Sequence, residues 1–241
     1  MRQQIETIYK TFSPYPLKRT VNACPCCVND TDQALIQSKP PRELNSHDLQ
    51  KYTSKAITTW GDVDDFKHFL PRILELMVLD EYAPDFALII GKLQYADFKH
   101  WKEKEVAVVE NFLMEFWSDY IMLLPYSGPM EFFALVESLG DVDLLTSCWE
   151  LSFDNYGFKN LIHFTQDQFL SLTKRKGKFK NWDDIQCNAL ISWMFSQITL
   201  IEESFYQFEN SGYAFTADIY TCFELLKNNA DLSKAAHLIK G

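Results

Sequence analysis

The residues with the clearest chemical potential are three cysteines within four consecutive positions: Cys24, Cys26 and Cys27, with Pro25 after the first. Cys24 and Cys27 have the Cys-x-x-Cys spacing that lets two thiolates reach one tetrahedral metal ion. Cys26 offers a third sulfur, and His68 is one of the nearest nitrogen donors along the chain. We therefore predict a metal site of Cys24, Cys26, Cys27 and His68, with zinc as the expected ion.

Two other interpretations of the cysteine cluster stay open at this point. Cys-Pro-x-Cys is also an active-site pattern of thiol oxidoreductases, although that chemistry usually follows a β-strand and starts a helix. The cysteines can also pack the loop against neighbouring helices and bind nothing. Zinc takes four ligands, and no second cysteine pair follows at zinc-finger spacing. The sequence thus allows a zinc site, a redox site, or a protein without a cofactor.

The elements that must position these residues are helices. Apolar residues recur at steps of three and four, whereas strand-like alternation is essentially absent. The pattern predicts an all-α protein, arranged as an irregular helical bundle or as a short α-solenoid of antiparallel helix hairpins. Predicted helices cover 46–60, 63–77, 106–124, 130–139, 141–153, 159–173, 183–208, 214–227 and 232–239, with a kink or break at Pro71.

A short internal repeat supports the helical hairpins. Gly-Asp-Val-Asp occurs at 61–64 and again at 140–143. We expect each glycine to adopt a left-handed conformation before a helix, and each following aspartate to cap that helix.

The longest predicted non-helical stretch is a Pro- and Cys-rich loop at 13–44 within a single domain of 1–241. A second loop, Lys174–Lys180, contains five basic residues and Phe179. It suggests either a solvated helix end or a nucleic-acid contact with Phe179 stacked on a base.

Composition narrows the class of protein. The chain has 241 residues, only 8 of them Gly, and a formal charge of −10. Few glycines disfavour phosphate-binding loops, and the negative charge disfavours nucleic acid and anionic membranes as partners. No apolar run is long enough to span a bilayer, and the first residues do not resemble a signal peptide, so we expect a cytoplasmic protein with reduced thiols.

The cysteine loop and the segment after it also resemble a known group of sequences. A Cys-Pro-Cys-Cys loop followed by Thr-Thr-Trp-Gly-Asp-Val-Asp-Asp-Phe-Lys-His-Phe-Leu-Pro-Arg, with Tyr15-Pro16 upstream, is similar to a family of uncharacterised bacterial proteins. The resemblance covers roughly the first 100 residues and transfers no activity. It implies that the cysteine loop and the Trp60–Arg72 helix lie together, with His68 near the cysteines.

The absence of catalytic motifs favours a protein that acts by binding. We find no nucleophile elbow, P-loop, dinucleotide fingerprint or zinc-protease helix. An acidic, aromatic-rich helical chain fits a non-enzymatic protein that binds a basic protein partner, such as an immunity protein that neutralises a bacterial toxin. Trp101, Phe153 and Tyr156 are candidate anchors. The alternative is a metal-binding or thiol-redox protein or enzyme that uses the Cys24–Cys27 loop with His68.

Overall fold

The prediction of an all-α protein is confirmed. The computed structural model describes residues 1–18, 20–79 and 86–232, and this part contains twelve α-helices and three short 3₁₀ turns. It has no β-strand, only two isolated bridges between Ala23 and Trp60 and between Ala56 and Trp60. In chain order, the α-helices are α1 Arg2–Phe12, α2 Asp30–Gln37, α3 Ser46–Lys55, α4 Val63–Val78, α5 Phe86–Tyr95, α6 Glu103–Leu123, α7 Met130–Leu139, α8 Val142–Ser147, α9 Gly157–Thr173, α10 Asp184–Ser196, α11 Ile198–Phe208 and α12 Thr216–Lys227.

The chain forms two compact units, which we describe separately. Unit 1 contains residues Met1–Phe116 and Glu137–Leu139, and unit 2 contains Trp117–Val136 and Gly140–Gly241. In unit 1, α1 and α3 pack on α4; in unit 2, α12 packs on α11 and α9, and α10 on α8 and α9. The single domain predicted from the sequence stays a prediction.

Several helix boundaries differ from the predicted ones. The Pro- and Cys-rich loop contains α2, because Asn29 and Asp32 form a capping box and no proline lies between 26 and 39. Helix α3 stops at Lys55, and Lys55–Trp60 folds into a turn whose amides at Thr59 and Trp60 both donate to the Lys55 carbonyl.

Other differences lie further along the chain. The predicted helix at 183–208 is two helices divided at Gln197, and the one at 141–153 ends at Ser147. Helix α4 continues through Pro71 instead of dividing. Helix α5 is not among the predicted helices, and it is mainly apolar. The helix predicted at 232–239 lies almost entirely outside the described residues.

The repeated Gly-Asp-Val-Asp segment folds as expected. Gly61 and Gly140 have φ angles of +75° and +78°, which glycine adopts at little cost. The Asp62 carboxylate accepts the amides of Asp64 and Asp65, and Asp141 accepts that of Leu144. The first copy sets the start of α4, against which the cysteine loop lies.

Each unit has its own apolar core. The core of unit 1 includes the fully buried Tyr52, Phe66 and Phe69. The core of unit 2 is aromatic: the ring centroids of Trp117 and Trp149 are 5.6 Å apart and those of Phe133 and Phe179 are 5.1 Å apart.

We predict that Gly157 at the start of α9 tolerates no side chain. A Cβ atom there would lie 1.9 Å from the Glu150 carbonyl oxygen. Gly157→Ala should therefore lower the free energy of unfolding by roughly 1–3 kcal/mol in urea denaturation. Gly91→Ala is the matched control, because a Cβ in mid-α5 meets nothing within 4 Å and should stabilise the helix by up to about 1 kcal/mol. Equal effects of both substitutions would contradict this prediction.

Candidate thiol-metal site

The cysteine loop is anchored on the segment that leads into α4. The Cys24 amide donates to the Thr59 carbonyl at 2.9 Å, and the Gly61 amide donates to the Asn22 carbonyl at 2.7 Å. Val21 and Val28, on either side of the cysteines, are buried. The predicted contact between the cysteine loop and the start of the Trp60–Arg72 segment is therefore present.

A tight turn brings the three thiols to one point. The amides of Cys27 and Val28 both donate to the Cys24 carbonyl, at 2.9 and 3.0 Å. The three sulfur atoms all lie within 4.8 Å of one another. The Sγ atoms of Cys24 and Cys26 are 2.6 Å apart and those of Cys26 and Cys27 are 3.6 Å apart. Cys26 is exposed and the other two are half-buried, so the cluster is open to solvent.

Cys24 and Cys26 differ in their tendency to ionise. The side-chain hydrogen bond with Cys26 lowers the pKa of Cys24, and backbone hydrogen bonds of Cys26 and Cys27 act in the same direction. The hydrogen bonds of Cys26 to Cys24 and then to Cys27 raise the pKa of Cys26 to about 11. The pKa of Cys24 is thus lower than that of Cys26.

This difference predicts selective alkylation. Because the thiolate is the nucleophile, iodoacetamide should modify Cys24 faster than Cys26 near neutral pH, by about tenfold after allowing for the lower nucleophilicity of a more acidic thiol. Raising the pH towards 11 ionises Cys26 and should remove the preference. Peptide mass spectrometry of metal-free protein measures both rates, and a faster reaction at Cys26 near neutral pH would contradict the assignment.

One of the two measured sulfur separations is close to that expected for thiolate ligands of one metal ion, and the other is shorter. Zinc–sulfur bonds of about 2.3 Å place the sulfurs of a tetrahedral site roughly 3.8 Å apart. The separation of Cys26 and Cys27 is close to that value, while Cys24 and Cys26 must move apart by about 1 Å. Three thiolates leave the fourth position of a tetrahedral ion open.

The structure brings three of the four predicted ligands together and leaves His68 outside the group. His68 lies in α4, where its Nδ1 is 2.7 Å from the Tyr15 carbonyl oxygen. Its half-buried ring lines a cavity of about 420 Å³ together with Tyr9, Phe12 and Pro71. This cavity belongs to the contact of α1 with α4 and contains no cysteine.

Sequence reasoning missed a buried ion pair of unit 1. Lys67 and Glu105 form an ion pair at 2.7 Å, with side chains 8% and 4% exposed. The Tyr15 hydroxyl donates to the second oxygen of Glu105, and the Lys67 ammonium lies 4.2 Å above the Trp101 ring. Trp101, a predicted partner anchor, is thus engaged within unit 1. The available signal was the position of Lys67 in the apolar pattern of α4, four residues after Val63 and three before Leu70.

The structure of the basic loop Lys174–Lys180 contradicts one part of the predicted nucleic-acid contact, the stacking of Phe179 on a base. Phe179 is 1% exposed and packs against Phe133 and Trp182, so its ring cannot stack on a base. Arg175 donates to the Asp184 carboxylate at 2.6 Å, which joins the end of α9 to the start of α10.

The other predicted anchors do reach the surface. Phe153 and Tyr156 are 41% and 39% exposed. The other three cysteines are Cys148, which is half-buried, and Cys187 and Cys222, which are buried.

No protein-family model, curated protein or solved structure matches the chain. Among the described helices, none combines the length and apolar character needed to cross a bilayer.

Proposed function

We propose that the protein binds a thiophilic metal ion, with zinc as the expected ion, through Cys24, Cys26 and Cys27. The observation that carries the proposal is the gathering of three sulfurs within 4.8 Å at the surface of unit 1. Sulfur ligands prefer zinc and other soft ions to magnesium or calcium. A reducing cytoplasm, the location predicted from the sequence, would keep the thiols available.

Both ends of the cysteine loop are already fixed by the fold before an ion binds. Two flanking valines and the capped start of α2 fix the ends of the loop, so little chain has to be ordered when the metal binds. Binding requires Cys26 to release its proton, and the affinity must therefore rise with pH. The open fourth position admits a water molecule or a ligand from another molecule.

The test is the zinc stoichiometry of purified protein under anaerobic conditions. Elemental analysis and competition with a chromophoric chelator should give one zinc per chain in the wild type. The triple variant with serine at 24, 26 and 27 should give none, while Cys148→Ser, which removes a half-buried thiol of unit 2, should retain one. A wild-type protein that binds no zinc, or a triple variant that still binds one, would overturn the proposal.

A second candidate function is binding of a basic protein through unit 2, as in toxin neutralisation. It is supported by a continuous series of partly exposed rings. Phe208 contacts Phe153 and Tyr213 at 5.4 and 4.8 Å between centroids, and Phe215 contacts Tyr213 and His163 at 6.2 and 5.1 Å. Aromatic residues are enriched at protein interfaces, and tyrosine is among the residues that often carry most of the binding energy.

The charges around these rings favour a basic partner. Exposed carboxylates at Asp154 and Glu209 directly follow Phe153 and Phe208 in the chain, and Asp167 lies one helical turn after His163. Lys159 lies over the rings of Tyr156 and Tyr213, both at 5.8 Å. Arginine side chains stack on aromatic faces and pair with carboxylates.

An arginine-rich peptide is the probe for this second function. It should bind at low salt with at least fivefold higher affinity to the wild type than to Phe153→Ser, which corresponds to about 1 kcal/mol or more. Tyr206→Ser is the matched control, because Tyr206 is 60% exposed but lies outside the series. Equal losses in both variants would count against the surface.

A further inference from the structure

Lys92 is a buried cation without a carboxylate partner among the described residues. It lies in α5 and is 6% exposed. Its ammonium donates to the Ala56 carbonyl at 3.0 Å and approaches the Thr58 hydroxyl at 3.5 Å. A buried charge held only by neutral groups is unfavourable for stability, so its presence needs an explanation.

Both contacts are made to a strained turn, Lys55–Trp60, which we call the support turn. Ile57 in this turn has a φ angle of +67°. A β-branched residue rarely adopts the left-handed region, and it does so only where the surrounding structure imposes it. The Lys92 ammonium contacts Ala56 and Thr58, the residues on both sides of Ile57.

The support turn is hydrogen-bonded to the cysteine loop. Thr59 follows Thr58 directly, and its carbonyl accepts the Cys24 amide at 2.9 Å. An isolated bridge pairs Ala23 with Trp60 at the end of the turn. The path from Lys92 to the first cysteine therefore consists of one side-chain contact, two adjacent residues and one backbone hydrogen bond.

We propose that Lys92 is a positioning residue for the thiol cluster, because its ammonium holds the strained support turn on which Cys24 is aligned. The inference rests on the proposed metal-binding function but concerns a different residue, element and measurement. The inference also explains why the unpaired charge of Lys92 is buried: the charge lowers the stability of the fold, but its hydrogen bonds position the cysteine loop.

The test combines Lys92→Met with Ile57→Gly. Lys92→Met removes the charge and the donor but retains a long side chain, and it should weaken zinc binding by about tenfold, as loss of an outer-shell contact does. Its thermal midpoint should be no lower than that of the wild type, because an unpaired buried charge is lost. Adding Ile57→Gly removes the strain, so the turn holds its conformation without Lys92, and the double variant should regain most of the affinity.

A metal-free measurement accompanies the zinc titration. Loosening the cluster should reduce the preference of iodoacetamide for Cys24 over Cys26 in Lys92→Met, and the double variant should restore it. Lys51→Met is the control, because Lys51 pairs with Asp32 at the start of α2, beside the same loop, but is exposed. It should leave both measurements unchanged.

The results separate this inference from the proposed function. If the wild type binds no zinc, the metal proposal fails and the alkylation preference alone decides the role of Lys92. If Lys92→Met leaves the affinity and the alkylation preference unchanged, Lys92 does not position the cluster. If its affinity and thermal midpoint fall together and Ile57→Gly restores neither, Lys92 only supports the fold and the inference is overturned.

Discussion

Lys67→Met is expected to lower the free energy of unfolding by about 3–5 kcal/mol, the usual cost of leaving one charge of a buried ion pair without its partner. The substitution leaves the carboxylate of Glu105, which is 4% exposed, with the Tyr15 hydroxyl and a longer contact of 3.7 Å to Lys102. It also removes a cation from the face of Trp101. Denaturant unfolding measures the loss.

A double variant of the buried pair and a variant of an exposed ion pair provide the controls. The double variant Lys67→Met and Glu105→Leu should recover most of the loss, since an apolar pair of similar volume replaces a buried ion pair at little cost. Lys99→Ala, in the exposed pair with Glu110, should cost less than about 1 kcal/mol. If Lys67→Met costs no more than Lys99→Ala, the pair does not stabilise unit 1.

Acid should weaken the same pair. Burial raises the pKa of Glu105, but the hydrogen bonds of Lys67 and Tyr15 outweigh it and hold the pKa below its ordinary value. A carboxyl group with a lowered pKa contributes stability above the pKa of the unfolded chain, and the contribution disappears as the pH falls through the folded pKa. On lowering the pH, the wild type should therefore lose more stability than the double variant, which has no carboxyl group at position 105.

The second large effect is expected at the thiol cluster. Cys24→Ser should weaken zinc binding by about 100-fold or more, since a structural zinc site distributes roughly 10–16 kcal/mol over its few ligands. Cys27→Ser should have a similar effect, because both sulfurs lie within 4.8 Å of each other and of Cys26. Competition with a chelator of known affinity, at fixed pH, measures the change.

A cysteine outside the cluster makes the comparison specific. Cys148→Ser should leave the zinc affinity unchanged, because Cys148 belongs to unit 2 and is not part of the group of three sulfurs. A loss in Cys148→Ser as large as in Cys24→Ser would mean that the metal binds elsewhere or that serine substitution acts through the fold.

Local signals in the sequence were sufficient for much of the fold. The steps of three and four between apolar residues identified most of the helices, and the two Gly-Asp-Val-Asp segments identified two helix starts with their caps. The missed helix α2 shows the limit of composition, because a capping box at Asn29 started a helix inside a stretch judged by its prolines. The division between α10 and α11 at Gln197 could not be predicted, because no glycine or proline marks it in the sequence.

Only those residues of the candidate site that are close together in the sequence could be predicted. Cys24, Cys26 and Cys27 lie within one turn of the backbone, so their spacing alone implied that the sulfurs meet. The position of His68 relative to them depends on the direction in which α4 leaves the support turn, and the ring instead contacts the backbone of Tyr15. The spacing of residues along the sequence does not determine the direction of the helix.

The sequence by itself determined the helical class, the capped helix starts and the gathering of three thiols, because each depends on contacts between residues a few positions apart. Only the tertiary structure decided which charges are buried. Lys67 meets Glu105 across 38 positions, and Lys92 meets Ala56 across 36. Burial of a charge depends on which helices pack around it, and that packing minimises the exposed apolar surface of the whole unit rather than following any local pattern.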